Sequence, residues 1–310
     1  MCREVRAGLA SAPRSVPPKY FYDEEGSRLF DAICRLPEYY LTRAEYSLLE
    51  RYARHVVERT RAEALVEIGS GMARKTGLLV AALCACATSP RYVAFDIAPD
   101  AVEASARALL SANSRLSVRG IVGDFGYDMG AIALGAPASV GPRLFAFLGS
   151  TIGNLDERAA PDLLRGVSAV MTGRDAFLLG VDLVKDQRVL HAAYNDAQGV
   201  TAAFNLNMLR VLSRELGGDF DPSQFEHAAF YDPVRCRVEM HVISRRRQSV
   251  ALREIGVRFE LASGDGIRTE ISRKFTRSSV EQTLAEGGMA LREWLPAADG
   301  AFALAVACRA

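Results

Sequence analysis

Between residues 43 and 183, apolar strand-like runs alternate with helical segments along the chain. The runs are nearly continuous in apolar residues, as expected for parallel strands that are covered on both faces. Strands that alternate with helices in this way predict a doubly wound α/β sheet. The predicted helices are 43–59, 75–87, 99–111 and 157–172, and the predicted strands are 65–69, 91–97, 118–125, 143–150 and 176–183.

The alternation breaks after residue 185. Residues 187–215 have the pattern of helices, and residues 226–262 alternate in polarity as antiparallel strands do. A helix at 278–287 and two apolar stretches around a Pro/Asp/Gly turn then predict a return to the sheet through a terminal hairpin. We therefore expect a sheet domain of residues 44–184 and 274–310, and a second domain of residues 8–43 and 185–273.

Composition excludes several classes of protein. The 310 residues, 49% of them hydrophobic, suffice for one large or two smaller domains. The formal net charge of +1 gives no basic surplus for nucleic acid, and no apolar run reaches the ~18 residues of a membrane span. The six cysteines lack C-x-x-C spacing, and the four histidines lack metal-ligand spacing, so we expect buried free thiols and no metal. We expect a cytoplasmic monomer that binds neither nucleic acid nor a membrane.

The sequence LVEIGSGMARKTGLLV, residues 65–80, has the pattern of a strand, a glycine turn and the start of a helix. A turn at the carboxyl end of the first strand is the usual ligand position in such a sheet, and glycines such as Gly69 let the backbone approach a ligand closely. Asp96 ends the second predicted strand, where an acid normally accepts hydrogen bonds from ribose hydroxyls. Asp124, in GDF, ends the third and is expected near an adenine edge.

Three nucleotide ligands compete for this turn. A dinucleotide site would favour G-x-G-x-x-G, and here the third glycine is displaced. A P-loop needs G-x-x-x-x-G-K-[ST], and GSGMARKT lacks its second glycine in register. S-adenosylmethionine, which has no phosphate, needs a glycine turn, a ribose acid, an adenine site and a terminal strand hairpin, and the sequence has a candidate for each. A glycine turn that only packs is the structural alternative.

Several long stretches together resemble one family: PPKYFYDEEGSRLFDAICRLPEYYLTRAE, EIGSGMARKT, FLGSTIGNL, YNDAQGVTAAFNLNML, RVEMHV and IRTEISRKF. They are similar to the S-adenosylmethionine-dependent histidine Nα-methyltransferases, which make hercynine for ergothioneine biosynthesis. The resemblance covers nearly the whole chain. It implies a Rossmann-like methyltransferase sheet and a substrate-binding domain built from residues 8–43 and 185–273. It also implies transfer of three methyl groups from S-adenosylmethionine to the α-amine of L-histidine.

The resemblance assigns roles to residues by motif. The cofactor residues that it implies are Gly69, Lys75, Asp96, Asp124 and Phe125. Tyr39 would face the histidine amino group as the catalytic residue, and Asn154 and Tyr194 would bind the carboxylate. The residues implied around the imidazole and its cavity are Glu270, Ser272, Met240, Tyr22 and Phe30.

The residues themselves allow plainer interpretations. TEIS alternates, so Glu270 and Ser272 share one side of a strand, where they suit two imidazole nitrogens or form a surface pair. Met240 is commonly plain core, and Tyr39 fits a loop aromatic that covers it. Asn154 fits a helix cap, although Asp156 is the better one.

Other functions stay open at this point. In the nearest alternative, the enzyme is still an N-methyltransferase, but its acceptor is another amino acid or an indole amine. In an alternative from a different class, the chain is not an enzyme but a binding module on a degenerate methyltransferase fold. A dehydrogenase is disfavoured by the glycine spacing.

Overall fold

The computed structural model describes residues 1–71 and 75–310, with the backbone alone at residues 101 and 140. Residues 72–74, within the EIGSGMARKT motif, lie outside the described residues. The helices are α1 Cys2–Ala10, α2 Glu24–Ile33, α3 Leu41–Thr60, α4 Thr76–Cys86, α5 Pro99–Ala112, α6 Gly130–Gly135, α7 Ala159–Val170, α8 Gln187–Tyr194, α9 Val200–Leu216 and α10 Arg277–Glu286. The strands are β1 Ala64–Ile68, β2 Arg91–Asp96, β3 Ser117–Val122, β4 Arg143–Phe147, β5 Ala176–Asp182, β6 Phe225–Asp232, β7 Arg237–Ser244, β8 Gln248–Leu252, β9 Val257–Leu261, β10 Gly266–Arg273, β11 Met289–Pro296 and β12 Phe302–Arg309.

The chain divides into two compact units, here the larger unit and the smaller unit. The larger unit comprises Leu41–Val184 and Lys274–Ala310. The smaller unit comprises Met1–Tyr40 and Lys185–Arg273.

The larger unit is built on one seven-stranded sheet in the order β11-β12-β5-β4-β1-β2-β3. The neighbours from β5 to β3 run parallel, and β12 and β11 complete the sheet antiparallel. One core cluster lies among α3, α4 and α5, and a second lies among α6, α7 and α10. The predicted doubly wound sheet and its terminal hairpin are therefore confirmed, and the four predicted helices up to residue 172 match within two residues.

Two strand predictions were wrong in part. The third strand ends at Val122 rather than at residue 125, because the Asp124 carboxylate accepts a hydrogen bond from Gly126 N at 2.8 Å and closes a turn. This strand is also largely exposed, since it is the edge of the sheet and pairs with β2 alone. The fourth ends at Phe147 rather than at residue 150, because Gly149 and Ser150 adopt left-handed φ values of 76° and 56°.

The smaller unit contains an antiparallel sheet in the order β10-β7-β6 and the separate β8–β9 hairpin. The N-terminal segment joins the edge of β10: Val16 N donates to Arg268 O, and Arg268 N donates to Arg14 O, each at 2.9 Å. The core of this unit lies between its strands and α1, α2, α8 and α9. The predicted 187–215 segment forms two helices, and the antiparallel strands predicted within 226–262 correspond to β6, β7, β8 and β9.

All six cysteines are free thiols, but the expectation that they are buried was wrong: Cys2 and Cys86 are exposed, and the other four are half-buried. Within the described ranges, no helix is both long and apolar enough to cross a membrane.

A carboxylic acid lies inside the parallel sheet. Glu67 on β1 is 3% exposed and accepts hydrogen bonds from the Thr76 hydroxyl at 2.5 Å and the Tyr92 hydroxyl at 2.6 Å. Burial raises the pKa of the Glu67 carboxyl from 4.5 to about 7, and the two hydroxyl hydrogen bonds only partly oppose this shift.

The raised pKa of Glu67 makes stability depend on pH. Between the unfolded pKa and about pH 7, the folded chain keeps a proton that the unfolded chain has released, so the free energy of unfolding falls as pH rises. We expect Glu67→Gln to remove this slope, so that its stability relative to the wild type improves by about 3 kcal/mol from pH 4 to pH 8. Urea unfolding at several pH values measures this, with exposed Glu63→Gln as the matched control. A difference that stays constant with pH would contradict the buried-acid account.

Candidate active site

The glycine turn of the larger unit follows β1 directly. Gly69 and Gly71 have φ values of 70° and 48°, in the left-handed region that favours glycine. Gly69 N donates to Phe95 O at 2.8 Å, which links the start of the turn to the carboxyl end of β2. The turn therefore lies at the edge of the sheet where β1 and β2 end. This is the edge at which parallel α/β sheets bind ligands.

Asp96 ties the turn to the end of β2. Its carboxylate accepts from Gly71 N at 2.9 Å and from Ala98 N at 3.0 Å. A carboxylate has about four acceptor positions, so Asp96, which is half-buried, keeps capacity for hydroxyl donors of a ligand. The Ser105 hydroxyl holds the turn from its other side by donating to Gly71 O at 2.5 Å.

Asp124 and Phe125 lie in the turn that follows β3. Asp124 N donates to the Asp128 carboxylate at 2.9 Å, which fixes the backbone of this turn. The Phe125 ring meets Phe147 edge-on, with 5.8 Å between the ring centroids. The turn therefore places a carboxylate next to an aromatic ring.

Lys75 is paired with an acid that sequence reasoning missed. Its ammonium donates to the carboxylate of Glu45, a residue of α3 that has no exposed surface. The signal was present in the sequence: Glu45 occupies one helix face with the buried Leu41, Leu48 and Leu49, where an apolar residue is expected.

Asn154 closes a short 3-10 helix, Thr151–Asn154, after the Gly149–Ser150 turn. The predicted competition for the helix cap is resolved by Asp156, whose carboxylate accepts from Arg158 N at 3.0 Å and Ala159 N at 2.8 Å at the start of α7. Asn154 is half-buried and belongs to the larger unit.

In the smaller unit, two predicted residues are joined by a hydrogen bond. The Tyr194 hydroxyl, from the end of α8, donates to the Ser272 hydroxyl of β10 at 2.7 Å. Both residues are buried, at 5% and 4% exposed. A buried hydroxyl pair of this kind is held in place by its two elements.

Glu270 lies opposite Met240 in the pairing of β10 with β7. Directly opposed residues of an antiparallel pair project to the same face, so the carboxylate and the thioether are neighbours. A β-bulge precedes Glu270, between it and Arg268, which is a common device for aiming a side chain. Met240 is 2% exposed, whereas Glu270 is half-buried.

Aromatic rings connect the remaining predicted residues. Ring centroids are 5.6 Å apart for Tyr22–Phe30, 6.3 Å for Phe30–Tyr39 and 6.4 Å for Tyr39–Tyr194. Phe204 of α9, which sequence reasoning missed, packs against Phe30 at 5.9 Å and closes the cluster. The motif YNDAQGVTAAFNLNML contains this residue, but an apolar helix position alone does not distinguish it from core.

Burial raises the pKa of the Tyr39 hydroxyl well above its usual value, and the neighbouring Tyr194 hydroxyl and Glu270 carboxylate raise it further. The hydroxyl is therefore neutral throughout the physiological range. It donates or accepts hydrogen bonds there and does not act as a phenolate.

The predicted residues thus form two sets. Gly69, Lys75, Asp96, Asp124, Phe125 and Asn154 belong to the larger unit. Tyr22, Phe30, Tyr39, Tyr194, Met240, Glu270 and Ser272 belong to the smaller unit. Within the described ranges, no cluster of His, Cys, Asp or Glu is arranged to hold a metal ion.

Comparison with known proteins extends over the whole chain. The family model described as histidine-specific methyltransferase, SAM-dependent, matches residues 1–309. The chain is 40% identical over 307 residues to the histidine N-alpha-methyltransferase of Mycolicibacterium smegmatis, covering 99% of this chain and 94% of that relative. It is 30% identical over 299 residues to ergothioneine biosynthesis protein 1 of Neurospora crassa, covering 91% of this chain and 32% of that longer relative.

A solved structure has a similar fold. A candidate methyltransferase from Thermobifida fusca has a TM-score of 0.50 to this chain, at 12% identity and with 97% of both chains covered. The sequence relatives identify the family more narrowly than this likeness of fold does. The chain is an N-methyltransferase that belongs to the family of histidine-specific, S-adenosylmethionine-dependent methyltransferases.

Proposed function

We propose that this enzyme transfers three methyl groups from S-adenosylmethionine to the α-amine of L-histidine and gives hercynine. The observation that carries the choice of acceptor is the polar set of the smaller unit: Glu270 opposite Met240, and Ser272 hydrogen-bonded to Tyr194. The M. smegmatis relative is a histidine N-alpha-methyltransferase, and the N. crassa relative is named for ergothioneine biosynthesis. The first name supports histidine as the acceptor, and the second supports a place for the product hercynine in ergothioneine biosynthesis.

The polar set matches a neutral imidazole. Such a ring has one N–H donor and one acceptor nitrogen. The Glu270 carboxylate accepts the N–H, and the Ser272 hydroxyl, which accepts from Tyr194 in the structure, donates its own proton to the other nitrogen. Met240 gives the ring an apolar neighbour on the same strand face.

The larger unit fits S-adenosylmethionine. Left-handed Gly69 and Gly71 leave the backbone open to a ligand, and Asp96 suits ribose hydroxyls. We assign Lys75 to the carboxylate of the cofactor and the Asp124–Phe125 turn to its adenine. When it is bound, the cofactor supplies an electrophilic methyl group on a sulfonium.

Positioning does most of the catalytic work in this mechanism. A neutral amine needs little activation toward a sulfonium methyl, and holding it in line is worth about 7–11 kcal/mol. The neutral Tyr39 hydroxyl accepts a hydrogen bond from the amine and orients its lone pair. Each of the first two transfers leaves an ammonium, which releases one proton to solvent before the nitrogen can attack the next methyl group. Asn154 and Tyr194 bind the substrate carboxylate, and the single Tyr194 hydroxyl proton turns from Ser272 to this carboxylate when the substrate is bound. The carboxylate stays unchanged through three successive transfers.

The cytoplasmic location and the monomeric state stay predictions. The free thiols fit a reducing compartment.

Asp96 tests the cofactor half of the proposal. We expect Asp96→Asn to weaken S-adenosylmethionine binding about 10–100-fold, because an amide replaces a charged acceptor of hydroxyl hydrogen bonds. Calorimetric titration measures the affinity, and exposed Asp100→Asn, at the start of α5, is the matched control. An unchanged affinity in folded Asp96→Asn would remove this residue from the site.

Tyr39 tests how the amine is activated. Because the Tyr39 pKa is raised, kcat/KM should increase with pH through the ionisation of the substrate amine near pH ~8 rather than through that of Tyr39. Tyr39→Phe should lower kcat about tenfold, by loss of one orienting hydrogen bond, and leave the midpoint of the pH profile unchanged. Exposed Tyr127→Phe serves as control. A midpoint that moves in Tyr39→Phe would show that the tyrosine itself titrates.

Glu270 tests the choice of acceptor. A site that hydrogen-bonds a polar ring rejects analogues that leave its groups unpaired, often by ~10⁴-fold. We expect Glu270→Ala to lower kcat/KM for histidine steeply and to narrow the gap to phenylalanine and tryptophan, with little change in S-adenosylmethionine affinity. The matched control is Glu260→Ala, which removes an exposed carboxylate of β9. If the variant keeps the wild-type preference for histidine, Glu270 does not bind the imidazole and another amine becomes the better candidate.

A further inference from the structure

Glu45 is a buried carboxylate to which neither the resemblance nor the proposed function gives a role. It lies in α3 on a face that is otherwise apolar, and it has no exposed surface. Burying a carboxylate in such a place costs several kcal/mol unless donors and a positive charge compensate it. Its partners therefore indicate what the residue does.

The partners lie at the carboxyl edge of the sheet. Gly149 N donates to both carboxylate oxygens of Glu45, at 2.7 and 3.0 Å, and so fixes the carboxylate by the turn after β4. Lys75 forms the ion pair with it and, unlike Glu45, is partly exposed, at 23% of its side chain. The carboxylate is thus held by backbone on one side and holds the Lys75 ammonium on the other.

The neighbouring strand leaves room for this arrangement. A Cβ atom at Gly180 of β5 would overlap the Glu45 carboxylate. Gly180 has an ordinary negative φ, so this position does not require glycine for its backbone conformation. The space left by its missing side chain is the space that the carboxylate occupies.

The ion pair sets the charge that a ligand meets beside Lys75. Glu45 and Lys75 together are neutral, whereas Lys75 without Glu45 would add one uncompensated positive charge. The next step rests on the proposed function, which assigns Lys75 to S-adenosylmethionine. That cofactor carries a net charge of +1, from a sulfonium, an ammonium and a carboxylate, and its product S-adenosylhomocysteine is net neutral.

We infer that Glu45 is a positioning residue that neutralises Lys75 and so favours the cationic cofactor over its neutral product. Lys75 serves both ligands equally through the carboxylate that they share. A surplus positive charge at this place would act alike on the ammonium and carboxylate that both ligands share and would also repel the sulfonium of the cofactor, so the site would retain the product relative to the cofactor. Glu45 prevents this while it keeps the lysine side chain in one orientation.

The test measures the dissociation constants of S-adenosylmethionine and S-adenosylhomocysteine by calorimetry and compares their ratio among folded variants. Glu45→Gln adds one net positive charge, so the ratio of cofactor to product Kd should rise about fivefold, on the scale of a charge interaction near a protein surface. Lys75→Met removes one positive charge, so the ratio should fall by up to a similar factor, in full if Glu45 stays ionised on its two bonds from Gly149 N. The double variant has the wild-type net charge, and its ratio should return to within about twofold of the wild type.

The ratio separates charge from general damage. A merely structural role for Glu45 would weaken both ligands alike and leave the ratio unchanged, and the second substitution would not restore it. Glu45→Asp keeps the charge on a shorter side chain, so its ratio should stay within about twofold even if both affinities fall. Glu50→Gln, at an exposed position of the same helix, is the matched control and should leave both constants unchanged.

Each outcome decides the matter. An unchanged ratio in folded Glu45→Gln, or a double variant that keeps the raised ratio, would overturn the inference. If Glu45→Gln does not fold, the fall expected in Lys75→Met decides in its place. If the wild-type protein binds the cofactor and methylates histidine, but the ratio of cofactor to product Kd does not change in the Glu45 and Lys75 variants, this inference alone is refuted. A wild-type protein that does not bind S-adenosylmethionine refutes the proposed function as well.

Discussion

Three acids at the carboxyl edge of the parallel sheet must each be compensated, and the arrangement of the larger unit follows from how this is done. Asp96 accepts from Gly71 N and thereby closes the glycine turn. Glu67 is satisfied by two hydroxyls inside the sheet, and Glu45 by a backbone amide and Lys75. Asp96 and Glu45 accept from backbone amides of the turns, Gly71 N and Gly149 N, so satisfying these two acids also fixes the turns. Because the pKa of Glu67 is raised to about 7 and Glu45 is paired with Lys75, Asp96 is the acid of the three that is best suited to attract a cationic cofactor.

In the smaller unit, polar side chains are held within an apolar core. A chain of ring contacts runs from Phe204 of α9 through Phe30 of α2 and Tyr39 to Tyr194, so the Tyr194 side chain is held by packing as well as by its hydrogen bond to Ser272. Burial keeps Tyr39 neutral. A site of this kind selects a ligand by the donors and acceptors it offers, because any polar group left unpaired is costly. Charge therefore dominates the proposed cofactor site, and hydrogen-bond matching dominates the proposed acceptor site.

The sequence predicts the fold where one physical pattern governs a segment. Fully buried parallel strands such as β1, β4 and β5 appear in the sequence as nearly continuous apolar runs, which predict strands clearly. The predicted fold class is confirmed. The edge strand β3 was misjudged because its exposure depends on having no second neighbour, which is a property of topology rather than of local sequence. Its early end depends on the side-chain turn at Asp124, which competes with strand pairing.

For the candidate site too, the sequence predicts some residues and misses others. The resemblance assigned a role to Lys75 but none to Glu45, although Glu45 is the last residue of the quoted stretch PPKYFYDEEGSRLFDAICRLPEYYLTRAE. A pairing between residues 30 positions apart is not visible in either motif. The isolated acid on the apolar face of α3 was the available signal. Glu270 and Ser272 were predicted to share a face from alternation alone, whereas the bulge that precedes Glu270 had no recognisable sequence pattern. Their roles toward a ligand stay predictions.

The central claim is that histidine is the acceptor and that its amine is methylated three times. Mass spectrometry of the purified enzyme incubated with S-adenosylmethionine and an equimolar mixture of the twenty amino acids tests it most directly. The account predicts that histidine alone is consumed and that a trimethylated product with an unmodified imidazole accumulates. Methylation of a different amino acid, or histidine that stops at one methyl group with cofactor still in excess, would contradict it.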